Sequence, residues 1–222
     1  MRHWHWIIAA LYGSIILALT LPVALIAFYP VSDSLNQDIG STVTSFFEWW
    51  HYWVWLAVAI LAQAALLAVP VRINGKRPVS KKAVYYPIIA SGFMMGLLIV
   101  GAALSVCETV TQDPLASDMW WVSFAVLGLS WFLWGSIFKR WSRDLKPRNL
   151  IERQARYLFK GSVLELLIAV PAHVIARYRD YCCAGFATFV GIGFGLAVML
   201  FSFGPGVYYL YAERWKSLHP KK

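Results

Sequence analysis

The chain has 222 residues, of which 59% are hydrophobic and 14% charged, and it carries a formal net charge of +9. A soluble domain holds roughly 45–50% apolar and about 25% charged residues, so a globule of this composition could not cover its own surface, and disorder fails because only low hydrophobicity keeps a chain unfolded. An all-α integral membrane protein remains, its apolar runs separated by charged clusters.

A hydrocarbon core of about 30 Å takes about 20 helical residues to cross. The first run of that length extends from Trp6 to Tyr29, broken only by Thr20 and Pro22. It outlasts the apolar core of a secretory signal and has no small-x-small site after it, so it reads as a retained span. The second runs from Trp50 to Val71, with Gln63 its one strongly polar interior residue. The third covers Val84 to Val106 and holds Gly92 and Gly96, a small-xxx-small spacing that lets membrane helices approach closely. The fourth covers Met119 to Phe138. None alternates with period two, so all read as helices and not as barrel strands.

The fifth run is shorter. Gly161 to Ala176 covers roughly 24 Å as a helix, carries Glu165, Pro171 and His173, and ends at Arg177, Tyr178, Arg179 and Asp180. It either crosses, lengthened by Tyr157 to Lys160 with the Lys160 ammonium reaching back to the surface, or lies as a re-entrant or interfacial helix. The last run is the longest, from Cys183 to Ala212, with Gly191 and Gly195 at a second close-packing spacing and an interruption expected at Gly204-Pro205-Gly206.

Charge orders these runs. Residues 30–50 and 107–118 hold Asp33, Asp38, Glu48, Glu108, Asp113 and Asp118 and no Lys or Arg. Residues 72–82 hold Arg72, Lys76, Arg77, Lys81 and Lys82, and 139–160 hold Lys139, Arg140, Arg143, Lys146, Arg148, Arg153, Arg156 and Lys160. Basic short loops stay cytoplasmic. The expectation is a multi-pass protein of the cell (inner) membrane with its N-terminus and both basic segments inside. Six spans leave Arg177 and Arg179 outside, whereas five leave Arg214, Lys216, Lys221 and Lys222 there. The rule counts Lys and Arg, so a single domain of six helices over residues 1–222 is preferred to five plus one re-entrant or interfacial helix.

Chemistry-bearing residues are few. No Walker loop, nucleophile elbow, C-x-x-C or H-E-x-x-H occurs. The G-x-G at Gly191 lies in an apolar helix without a strand before it, so a dinucleotide site is rejected and packing is the expected role. Adjacent thiols favour soft metals, which makes His173, Cys182 and Cys183 the candidate metal ligands. In the six-span reading they share the outer face with Cys107 and His51, where a disulfide or plain packing is the competing expectation. Glu165 is the intramembrane polar candidate, because an acid at membrane depth faces the bundle interior and marks function by default. A base or hydroxyl on a neighbouring helix is its expected partner. No cofactor is indicated. The expected partners are the lipid bilayer and other membrane subunits or further copies of the chain, with no nucleic acid. The leading functional expectation is a non-catalytic accessory subunit or assembly factor of a larger membrane complex. A membrane metal/thiol-redox protein using His173 and Cys182-Cys183, and a small-solute transporter with Glu165 in its pathway, are the alternatives.

The charge pattern yields a test. In a background without native cysteines, a cysteine placed at Ser41 should react with an impermeant maleimide added outside intact cells. One placed at Ser80 should react only after permeabilisation, and labelling of Ser80 in intact cells contradicts the topology.

Overall fold

The computed structural model describes residues 50–74, 81–111, 117–179 and 184–218, with isolated positions between residues 7 and 48. Among them are five long helices and no strand. These are α1 (Trp50–Asn74), α2 (Lys81–Val110), α3 (Ser117–Asp144), α4 (Pro147–Arg177) and α5 (Phe186–Leu218). Four contain stretches long and apolar enough to cross a membrane: Lys82–Val110, Trp121–Asp144, Pro147–Arg177 and Phe186–Arg214. They correspond to the third, fourth, fifth and sixth expected spans. The apolar part of α1 is shorter, Leu56–Pro70. Most of the first expected span lies outside the described residues, although Ile7, Ala10, Leu11 and Gly13 to Ile15 are helical and Gly13 lies against Ile60.

Three expected boundaries are corrected. The basic segment 139–160 is not a loop, since α3 runs to Asp144 and α4 begins at Pro147, leaving only Leu145 and Lys146 between them. Long basic side chains keep their charges in water while the backbone stays helical, so bases do not mark a helix end. Pro147 opens α4 at its first position, where a missing N–H breaks no helical bond. In consequence the short run 161–176 is the second half of a 31-residue helix, about 46 Å long at 1.5 Å per residue. The acidic segment 107–118 shrinks likewise, with Cys107 and Glu108 in the last turn of α2 and Asp118 in the first turn of α3. Third, Gly204-Pro205-Gly206 does not interrupt α5, which is helical throughout. A proline removes one backbone bond, and neighbouring helices make that tolerable inside a membrane bundle.

α2 is central and touches each of the other four helices. Its buried residues Met94, Met95 and Leu98 join Leu66 and Leu67 of α1, Leu158 of α4 and Val198 and Phe201 of α5 in one apolar core. α3 joins mainly through α2. Gly92 and Gly96 form that seam: a Cβ on Gly92 would lie 3.0 Å from the Gly135 amide nitrogen, and one on Gly96 would lie 3.0 Å from Leu127 Cδ1. The Trp131 indole N–H donates to the Ile89 carbonyl at 3.1 Å, and its ring meets Phe93 edge-on at 5.4 Å. Only 11% of the apolar stretch of α3 is buried within the bundle, against 61% for α2, so α3 is the peripheral helix. Where α3 meets α4, Arg153 lies 3.9 Å above the Trp141 ring, which meets Phe138 edge-on and Tyr157 at a tilt.

The seam predicts unequal glycine substitutions. Gly92→Val should lower stability by about 1–3 kcal/mol, the usual cost of overpacking, because the obstacle is backbone. Gly128→Val, where nothing lies within 4 Å of the added Cβ, should be nearly neutral. Thermal unfolding in detergent compares the two.

Candidate functional site

The buried face of α4 carries Leu150, Ile151, Gln154, Leu158, Ser162, Glu165, Ala169, Ala172 and Ala176. The steps of three and four residues between them trace one helical stripe, and three of its members are polar. Ser162 returns its hydroxyl to the Leu158 carbonyl at 2.8 Å. Gln154 and Glu165 have no hydrogen-bond partner among the described residues. Gln63 of α1, wholly buried beside Gly204 of α5, is in the same position.

Glu165 is 2% exposed and sits in a notch cut by three glycines. A side chain at Gly195 would collide with its Oε2. Gly101 and Gly191 bring α2 and α5 together, since a Cβ on Gly101 would lie 3.2 Å from the Gly191 Cα. The point where a Gly191 side chain would begin lies 2.6 Å from Ser105 Oγ, 2.9 Å from the Gly101 carbonyl oxygen and 3.1 Å from Glu165 Oε1. Three oxygens from two helices thus converge where α5 carries only hydrogen. The Ser105 hydroxyl donates to the Gly101 carbonyl at 2.8 Å. Glu165 does face protein, but the expected base or hydroxyl bonded to it is absent among the described residues, and glycine backbone takes its place.

A second polar group closes one end of the bundle. Glu108, fully buried in the last turn of α2, accepts the Gly185 N–H at 2.8 Å and the Thr188 N–H at 2.6 Å. These amides open α5, where the Phe189 N–H already bonds the Gly185 carbonyl at 2.9 Å. A carboxylate there satisfies unpaired donors and meets the positive end of the helix dipole. Gly185 has φ +90°, and a Cβ on it would lie 2.9 Å from Arg177 Cδ and 3.0 Å from His173 Cε1, so both its backbone and its neighbours require glycine. His173 Nδ1 lies 2.9 Å from Thr188 Oγ1 and 3.1 Å from the Gly185 carbonyl. The Thr188 hydroxyl donates to that carbonyl, and a carbonyl can only accept, so a bond from Nδ1 to it requires the proton on Nδ1. Arg179 mirrors Glu108, its guanidinium donating to the carbonyls of Glu108 at 2.9 Å and Thr109 in the last turn of α2 and of Thr111 just beyond it at 3.3 Å.

Of the expected site residues, Glu165, Gly191 and Gly195 come together, and Gly92 and Gly96 lie apart on the α3 seam. His173 is at the closed end, half-buried. Cys182 and Cys183 lie outside the described residues, and Cys107 is a free thiol. Among the described residues no three His, Cys, Asp or Glu side chains gather as metal ligands. Glu108 and Arg179, which tie the ends of α2 and α5 together, are the residues that sequence reasoning missed, having been placed in an acidic segment and at the outer end of the fifth run.

Fold and site define an α-helical membrane bundle with a carboxyl buried between its helices. No family model, no curated protein and no solved structure matches the chain.

Glu108→Ala would leave the Gly185 and Thr188 amides unpaired, at about 1–3 kcal/mol for each such group. The expected result is a lower melting temperature with faster hydrogen exchange confined to the first turn of α5. Exchange unchanged there would contradict the capping role.

Proposed function

We propose that the protein is a small-solute carrier of the cell membrane, crossing six times with a cytoplasmic N-terminus, and that Glu165 lies in its pathway. The observation that carries this reading is the buried Glu165 carboxyl, without a hydrogen-bond partner among the described residues, in the middle of a helix able to span the bilayer. Insertion measurements put an acid at mid-membrane at about 3 kcal/mol, and such residues mark ion and substrate pathways. Gln154 and Ser162 continue the polar stripe over about 16 Å of the α4 interior face. A carboxyl among neutral oxygens selects for a cation, so the first solute to test is a small monovalent cation.

Full-length protein in proteoliposomes on a solid-supported membrane tests this. Steps in H⁺, Na⁺ or K⁺ concentration should evoke a current that Glu165→Gln reduces at least tenfold while the protein still folds. No current with any of the three would refute the reading.

A second reading, an accessory subunit or assembly factor, is favoured by α3, which exposes Trp121, Phe124, Phe132 and Leu133 away from the bundle. Subunits co-purifying in mild detergent support it. Metal analysis of the same preparation tests the third proposal, a metal held by His173, Cys182 and Cys183: one bound metal per chain, lost in Cys182→Ser, is what it requires.

A further inference from the structure

We infer that the notch formed by Glu165, Ser105 and the Gly101 carbonyl is a binding site for a single proton. This rests on the carrier reading above and names the ion. Size argues first. The carboxyl is enclosed so closely that a methyl group on Gly195 would overlap Oε2 and one on Gly191 would stand 3.1 Å from Oε1. Hard metal cations require a shell of several oxygens at about 2.0–2.6 Å. The notch offers the carboxyl, one hydroxyl and one carbonyl, and the last two are already bonded to each other. A proton needs no space and one acceptor.

Charge argues second. The parts of α2 and α5 that pack on Glu165, residues 97–106 and 190–199, contain no titratable or charged side chain. The next such groups are Tyr86, Cys107 and Glu108 on α2, Tyr208 on α5, and Lys160 and His173 on α4 itself. On α1 they are confined to His51, Tyr52 and Arg72 near its ends, and on α3 to Asp118 and the stretch from Lys139 onward. Glu108 is no counter-charge, being an acid engaged with the amides of α5. Among the described residues, an anion at Glu165 has no cation beside it and no donor bonded to it. Uptake of one proton from water removes the charge and creates an O–H donor. Ser105 Oγ and the Gly101 carbonyl are the acceptors within a side-chain rotation, since all three oxygens lie within 3.1 Å of one point. Release of the proton to water restores the carboxylate.

Infrared difference spectra of the full-length protein in lipid nanodiscs, between acidic and alkaline buffer, read this directly without any transport. The expected result is the carbonyl stretch of a buried carboxylic acid that appears on acidification, is absent in Glu165→Gln and is shifted in frequency in Ser105→Ala. Exchanging K⁺ for Na⁺ should leave it in place. A band retained in Glu165→Gln, a band that does not titrate, or one moved by Na⁺ overturns the inference. If Glu165→Gln does not fold, the Ser105→Ala spectrum decides alone, an unshifted band counting against it. A titrating Glu165 without any current refutes the carrier and leaves the proton site standing, whereas a Na⁺-driven current without a titrating band does the reverse.

Discussion

Two helix backbones can touch only where neither carries a side chain, and the bundle is organised around one such contact. Gly101 of α2 meets Gly191 of α5, so closely that an added methyl group on either would strike the other helix. In a bilayer, helices gain nothing from expelling water from one another, and packing of this kind holds them together. The contact also decides where polar groups can go. Ser105 turns its hydroxyl back onto the carbonyl of Gly101, and Glu165 of α4 enters the space the glycines leave open. A larger residue at Gly195 would push out the carboxyl, and one at Gly191 would press on both the backbone of α2 and the carboxyl.

The closed end of the bundle follows a complementary rule. Helix termini leave amides and carbonyls unpaired, and a membrane supplies little water to satisfy them. Here the start of α5 and the end of α2 each borrow from another part of the bundle. The acid of α2 serves the amides of α5, and the base that follows α4 serves the carbonyls of α2. Both charges sit against the favourable pole of a helix dipole. Arg179 is therefore part of the fold, which is why a base can stand at the face expected to be poor in them.

The class of protein and its apolar helices were legible in the sequence, because roughly 20 apolar residues in a row admit few other structures. Helix limits were not. The apolar run of α2 ends at Val106, and nothing local says that Glu108 continues the helix, since its bonding partners lie 77 and 80 positions away. The bases from Lys139 to Lys160 resemble a loop until the reach of their side chains is considered. Gly204 and Pro205 resemble a break because the role of Gly204, making room for Gln63 of another helix, is a tertiary fact. Glu165 was legible as an acid out of place, and its inward orientation follows from the cost of facing lipid. Its glycine surroundings were half legible: Gly191 and Gly195 have a recognisable spacing, while Gly101 does not pair with either in sequence.

The polar stripe on α4 also bears on how the chain is made. A helix leaving the ribosome is judged by the translocon on its own composition, and α4 alone would present Gln154, Ser162 and Glu165 to lipid on one side. The glycines that shelter the carboxyl belong to α2, synthesised earlier, and to α5, synthesised later. The carboxyl is therefore sheltered only once both α2 and α5 stand beside α4.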